Sequence, residues 1–374
     1  MAIYLDHAAT TPMTPEVLAA YTSALSVVGN PSSIHSQGQA ARRMLEDARH
    51  TIAAALGADA VELTFTSGGT EAINLAIKGL YWARAPRRRI LSTRAEHHAT
   101  IDALEWLERH EGAVVEWIPV DGFGRIDLVA LEAALDGDVA LVTTLQANNE
   151  VGTLQPVERI VELAAAHGVP VHVDAVSAFG SVPVDFAGSG AAALSVSAHK
   201  IGGPVGVGAL VIARGATVTP LLHGGNQQRA RSGTLDAAGA HAFAVATAAL
   251  PGPDLRALRD RLIAGVVAAV PDAVLRGDPV DRLPGNAHFT FPGCDGDSLL
   301  FLLDSAGFSV STGSACQAGV PEASHVLLAM GVDERGARGA LRFTLGHESS
   351  EAEVDALLAA LPGAVERARA AGLA

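Results

Sequence analysis

The sequence predicts an α/β fold, a mostly parallel sheet with helices on both faces, on the strength of two observations. From Val61 the chain alternates short β-rich runs, at residues 63–66, 90–93, 114–120, 139–144, 171–174, 192–197 and 208–212, with longer helical patterns. Strands separated by helices of that length form βαβ units, whose crossovers cover both faces of the sheet. The polar residues fall at the carboxyl ends of these runs, the rim along which ligands collect in such sheets. A 374-residue chain with 49% hydrophobic residues has the mass for a large core, and its length implies more than one domain.

Composition excludes several classes. A formal net charge of −14 and the lack of a long basic run argue against a nucleic-acid partner, since phosphate neutralisation needs clustered Lys and Arg. The densest basic cluster, Arg87-Arg88-Arg89, reads as a solvated loop after Pro86. No window of about 18 apolar residues reads as a membrane span. The N-terminus lacks the charged-then-apolar layout of a signal peptide, so a cytoplasmic protein is expected. Two cysteines, Cys294 and Cys316, make no disulfide framework and no Cys-x-x-Cys pair, and no metal site is read.

Residues 1–14 are too short for a domain and form an extended arm. The turn cluster Gly29-Asn-Pro-Ser-Ser-Ile-His35 precedes a helical run at 39–56 with Arg/Glu pairs at helical spacing. The strand at 63–66 then leads through Ser67-Gly-Gly-Thr70-Glu71 into a helix at 72–83. Glycines admit an anion to the backbone, and a helix start offers unpaired amides and the positive end of its dipole, which suits a phosphate. Ordinary capping of the helix by Ser/Thr is compatible with that reading. The spacing is neither a P-loop nor Gly-x-Gly-x-x-Gly, which disfavours ATP and NAD. Further strand ends present Glu96-His97-His98, Gln146-Ala-Asn148-Asn149-Glu150 and, closing the alternating run Val171-His-Val, Asp174.

The run at 192–196 ends in Ser197-Ala-His199-Lys200 and breaks at Gly202-Gly-Pro204, which parks a lysine at a strand end. Lys78 and Lys200 are the only lysines in an arginine-rich chain. A lysine becomes a useful nucleophile near neutral pH when burial or a neighbouring cation lowers its pKa. One βα unit brings Asp174 and Lys200 to the same rim. The Gly- and Arg-rich stretch at 222–234, with Arg229, Arg231 and Thr234, reads as a functional loop aimed at an anion.

A helical stretch at 235–250 ends at Pro251-Gly-Pro253, the expected domain boundary. The organisation expected is an arm at 1–14, a large domain at 15–250 and a smaller α/β domain at 251–374, with the arm able to pack on the latter. The smaller domain has a helix at 255–270, a strand at 287–291, a helix at 296–306, strands at 308–310 and 341–345, and a helix from Glu351. It carries Cys316 among small residues in Ser311-Thr-Gly-Ser-Ala-Cys-Gln-Ala-Gly319, a setting that favours an accessible thiol, whereas Cys294 is expected to pack. Arg342 interrupts an apolar strand and either makes an internal salt bridge or binds a carboxylate bidentately.

Taken together, Tyr4-Leu-Asp-His-Ala-Ala-Thr-Thr-Pro, Ser-Gly-Gly-Thr70-Glu, Glu-His97-His, Asn-Asn149-Glu-Val-Gly, Val-Asp174-Ala, Ser-Ala-His-Lys200, Arg231-Ser-Gly-Thr234 and Ser-Gly-Ser-Ala-Cys316 resemble the cysteine desulfurases, pyridoxal-phosphate enzymes of the class V aminotransferase group. The resemblance implies a fold-type I architecture and pyridoxal 5'-phosphate as cofactor. It implies that Lys200 forms the internal aldimine and moves the Cα proton, that Asp174 pairs with the pyridinium nitrogen, and that His97 stacks on the ring and serves in proton transfer. It further implies that Gly69, Thr70, Ser197 and His199 hold the phosphate, with Thr234 contributed by a second subunit, that Asn149 lies near the 3' oxygen or substrate, and that Arg342 clamps the substrate carboxylate. Three residues after Asp174, Ser177 stands where the family usually has glutamine against the 3' oxygen. The 224–234 loop is one residue shorter than the usual form.

The activity implied is conversion of L-cysteine to alanine, with sulfur passed to Cys316 as a persulfide and on to an acceptor such as an iron–sulfur scaffold. The expected enzyme is a homodimer of the kind with the longer cysteine loop, at 311–319. A selenocysteine lyase or other class V enzyme is the alternative within the fold, and a non-catalytic docking subunit the alternative outside it.

Overall fold

A computed structural model of the chain describes residues 2–313 and 323–372. Its strands are β1 (Ile3–Tyr4), β2 (Leu63–Thr66), β3 (Arg89–Thr93), β4 (Val114–Ile118), β5 (Val139–Leu145), β6 (Val171–Asp174), β7 (Ala193–Ser197), β8 (Gly208–Ile212), β9 (Val274–Arg276), β10 (Asn286–Thr290), β11 (Phe308–Ser309) and β12 (Ala340–Thr344). Seven of them form one sheet in the order β2-β8-β7-β6-β5-β3-β4. Neighbours from β7 through β4 pair in parallel, while β8 runs antiparallel to both β7 and β2. The reversal has a local cause. Gly202-Gly-Pro204 returns the chain after β7 without a crossover helix, and parallel pairing needs such a crossover.

Strand alternation divides the core into two layers. Val171, Val173, Leu194, Val196 and Val211 point to one face and pack with helices that include Ser36–Ala55 and Ala237–Ala248. Ala193, Leu210 and Ile212 point to the other, under the helices Gly69–Ala83 and His98–Glu111. Because both faces are covered, the inner strands are buried along their whole length and read as apolar runs.

A second core lies on the antiparallel sheet β12-β10-β9. Phe289, Phe343, Leu262, Leu299, Leu357 and Leu361 fill it beneath the helices Arg256–Ala269, Gly296–Ser305 and Glu351–Gly372. The N-terminal arm belongs to this core: β1 pairs in parallel with β11, Leu5 is fully buried there, and Asp6 bridges to Thr344.

One expectation needs correction, and one strand went unread. Arg89 is no loop residue but the first residue of β3, where ion pairs to Glu116 and to Asp136, the latter at 2.6 Å, hold it. The short edge strand β9 carries Arg276 and too little apolar alternation to announce itself, yet it pairs with β10 at Val274, Leu275 and Arg276. Among the described residues no helix is long and apolar enough to cross a membrane.

Candidate active site

The polar ends of β3, β5, β6 and β7 meet at one rim. Asp174 closes β6 at 2% exposure, and its Oδ1 accepts the amide of Val176 at 2.9 Å. Burial pushes its pKa up to about 6, with the nearby charge of Lys200 pulling the other way. Glu96 lies beside it, fully buried; burial first and the charge of Asp174 second push its pKa up to about 8. Thr93 donates to its Oε1 at 3.1 Å, while Oε2 has no partner among the described residues. Burial thus favours the neutral acid at Glu96, and Asp174 is an acceptor suited to a buried cation.

His97 caps the helix His98–Glu111, its Nδ1 accepting the amide of Ala99 at 3.0 Å. That bond assigns the proton of the neutral ring to Nε2. Burial and then the positive charge of Lys200 lower its pKa to about 4, so the ring is neutral over the working range.

Lys200 sits in the 3₁₀ turn Ala198–Ile201 that directly follows β7. Its Nζ donates to the carbonyls of Ala8 and Ala9, the latter at 3.2 Å. The arm is tied to this turn at further points: the Thr11 amide donates to His199 O at 2.9 Å, Thr11 Oγ1 to Lys200 O at 3.2 Å, and Thr10 Oγ1 meets His199 Nδ1 at 3.3 Å. Composition showed this arm only as an extended segment, because the contact that gives it its role joins residues about 190 positions apart in sequence. The other lysine, Lys78, is spent on the face of Trp106, 4.2 Å from the ring centroid.

A phosphate-sized anion has a cradle at the start of the helix Gly69–Ala83. Among the described residues no side chain caps that helix, whose N-cap Gly68 has φ +148°, and a helix start presents its first amides outward as donors. Gly69 faces Val176 and Ser197: a Cβ there would lie 2.9 Å from Val176 Cγ2. Ser197 Oγ is buried without a partner among the described residues. Burial, and then the charge of Lys200, lowers the pKa of His199 to about 4. Thr70 is exposed in the first turn, Ser177 is half-buried on the turn after Asp174, and Thr234 is exposed on the 222–234 loop.

Of the two arginines of that loop, one meets an anion within the chain and the other meets backbone carbonyls. Arg229 donates to the carbonyls of Ile212, Ala213 and Ala216, and Arg231 pairs with Glu71 at 2.9 Å. They brace the loop against β8 and the helix start, a role that composition does not separate from anion binding.

Arg342 is 3% exposed in β12. Its Nη2 pairs with Asp6 at 2.8 Å and its Nη1 donates to Asn149 O at 2.9 Å. The internal salt bridge is thus real, yet Nε and the neighbouring Asn149 Oδ1 are both buried without partners among the described residues. One donor and one acceptor are left over, where a small zwitterion could use them. Cys294 is packed as expected, its Sγ donating to Val365 O at 3.7 Å and its pKa raised by burial. Cys316 lies outside the described residues.

These features match what pyridoxal phosphate requires: a buried acid for a ring nitrogen, a neutral imidazole beside the lysine, a free helix start for phosphate, and unpartnered polar atoms around them. The model of the family Aminotransferase class-V matches residues 3–357. The chain belongs to that family. It is 54% identical over 386 residues to an IscS-like cysteine desulfurase of Mycobacterium tuberculosis, covering 99% of this chain and 98% of the relative. It is 46% identical to a cysteine desulfurase of Cereibacter sphaeroides, over 98% of this chain and 97% of the other. Among solved structures, a NifS-like protein superposes with a TM-score of 0.90 at 35% identity, covering 98% of this chain and all of that one. The architecture is accordingly fold type I, and the cofactor of the family is pyridoxal 5'-phosphate.

Proposed function

We infer that the chain is a pyridoxal-phosphate-dependent cysteine desulfurase, which converts L-cysteine to L-alanine and retains the sulfur as a persulfide on Cys316. The observation that carries this reading is the meeting of Lys200, Asp174 and His97 at one rim, beside an unclaimed helix start and the half-satisfied pair Arg342 and Asn149.

The cofactor, when bound, supplies an electron sink for the substrate's Cα carbanion. Lys200 holds it covalently through Nζ and shuttles the Cα proton. Asp174 keeps the ring nitrogen protonated, a cation that offsets the burial of its carboxylate. The neutral ring of His97, with its proton on Nε2, would lie against the cofactor and offer that N–H there. Gly69, Thr70, Ser197 and His199 hold the phosphate. Arg342 Nε, with Asn149 beside it, orients the substrate carboxylate, and Ser177 makes a shorter reach toward the 3' oxygen than glutamine would. The Cys316 thiolate then takes the substrate sulfur: the carbon–sulfur bond breaks, a sulfur–sulfur bond forms, and the electron pair left on carbon takes a proton to complete alanine. The sum is redox-neutral.

The working form is a homodimer in the cytoplasm, with Thr234 reaching the partner's phosphate, and the persulfide goes to an acceptor such as an iron–sulfur scaffold. The test is Cys316→Ala. It is expected to keep the cofactor band and its response to L-cysteine while sulfide release under reductant falls at least a hundredfold. Retained sulfide release would refute the persulfide role.

A further inference from the structure

One imidazole beside the rim has no part in the chemistry above. His325 opens the short helix His325–Ala329, whose Val326 and Leu327 pack with Ala95 and Val151 in a small core of their own. Its place is fixed from behind: Ser324 Oγ accepts the amide of Leu327 at 3.2 Å and donates to Glu150 Oε2 at 2.5 Å.

From there the ring reaches the turn that carries His97. His325 Nε2 lies 2.9 Å from the carbonyl oxygen of Glu96. A carbonyl only accepts, so Nε2 carries a proton and donates. The same ring lies against His98, with centroids 4.5 Å apart and planes tilted by 56°. His325 thus touches the residue on each side of His97. The other ties of this turn come from the large sheet. Thr93, at the end of β3, accepts the amide of Ala95 at 3.2 Å and donates to Glu96 Oε1 at 3.1 Å, and Asn148, beyond β5, donates to Ala95 O at 2.8 Å. The tie at Glu96 O comes instead from the chain between β11 and β12, and it acts on the peptide that joins Glu96 to His97.

An imidazole that moves a proton must sit within roughly 2.6–3.2 Å of the atom it serves, and a displacement of about 1 Å can cost on the order of a hundredfold in rate. We propose that His325 is a positioning residue for His97: by holding the Glu96 carbonyl, with its own ring braced on His98, it sets the angle at which the His97 ring meets cofactor and substrate. The proposal rests on His97 serving in proton transfer. Docking of the helix does not by itself call for an imidazole, since Val326 and Leu327 already anchor it.

The test combines two substitutions and two readouts. His325→Phe keeps a ring against His98 and removes the donor, whereas the amide of His325→Gln restores a donor at similar reach. In the cofactor-free protein, amide hydrogen exchange across residues 95–101 is expected to be at least tenfold faster in His325→Phe and within threefold of the unsubstituted rate in His325→Gln. In the loaded enzyme, stopped-flow absorption should show the L-cysteine-induced change of the cofactor band slowed at least tenfold in His325→Phe and recovered in His325→Gln. Added to His97→Ala, His325→Phe should slow it by less than a further twofold, because the ring it positions is gone. His325→Ala takes the place of His325→Phe should the latter not fold. Exchange and band change within twofold of the unsubstituted protein in His325→Phe, or an equal slowing with and without His97, overturns the proposal alone. A band change in His97→Ala as fast as in the unsubstituted enzyme overturns the His97 role beneath it.

Discussion

At the scale of single residues, the site sets two buried carboxyls, Glu96 and Asp174, beside two imidazoles and the charge of Lys200. Asp174 at about 6 and Glu96 at about 8 are both carboxyls displaced upward by burial, side by side under the rim. A protonated ring nitrogen stabilises the charged form of Asp174 and leaves Glu96 as the neutral neighbour. The consequence for stability has a definite sign. Glu96 binds its proton more tightly folded than unfolded, so its contribution is fully present below its ordinary 4.5 and is lost as pH rises through about 8. His172 and His288, lowered to about 3 chiefly by burial, act oppositely: their contribution is present above 6.5 and is lost as pH falls toward 3. The melting temperature of the cofactor-free protein is therefore expected to fall on both sides of an intermediate pH. Glu96→Gln, which mimics the neutral acid, should flatten the falling limb between pH 6.5, where the histidine contributions are complete, and about 8; an unchanged slope there would show that Glu96 is ionised in the fold.

At the scale of elements, the cofactor cradle depends on how closely β8 approaches the start of the helix Gly69–Ala83. A Cβ on Gly208 would lie 2.6 Å from Gly68 C, 2.7 Å from Gly68 Cα and 2.8 Å from Val196 O. All three are backbone atoms, which cannot rotate away. Gly208→Ala should cost about 1–3 kcal/mol of stability, the usual range for overpacking. It should also weaken pyridoxal-phosphate binding at least tenfold by shifting the helix start, measured by titrating the cofactor into stripped protein. Unaltered affinity would place the phosphate elsewhere.

Elements were also where the sequence was most legible. The run at 171–174 matches β6 to the residue, and 208–212 matches β8, because buried strands bounded by glycine and charge carry their own limits. The antiparallel direction of β8 was not read from the sequence, although the link from Ser197 to Gly208 is too short for a crossover helix. The contacts that complete the site were not legible. Ala8 and Ala9 reach Lys200 through backbone carbonyls, which no residue type advertises, and Asp6 meets Arg342 across 336 positions of chain. Arg231 does meet an anion, the Glu71 carboxylate, whereas Arg229 spends its guanidinium on backbone carbonyls, a use that residue type alone does not separate from anion binding.

At the scale of the whole molecule, the N-terminal arm joins the two cores. Leu5 is buried with the small sheet, and five residues or so further on the chain lies against the Lys200 turn. Arg342, in β12, and Lys200, on the turn after β7, are thereby held to one short strap through Asp6 and the carbonyls that follow it. The proposed dimer adds a further level, testable by mixing subunits. Lys200→Ala and Thr234→Ala homodimers should each bind cofactor poorly, whereas a co-expressed hybrid should regain one covalently loaded site per dimer if Thr234 serves its partner. No recovery would assign Thr234 to its own subunit.

The central claim is that Lys200 carries the cofactor, and the chain's only other lysine makes the test clean. Borohydride reduction of the loaded protein followed by peptide mapping should place the pyridoxyl mass on Lys200 alone. Finding it on Lys78, or on no peptide, would contradict the account.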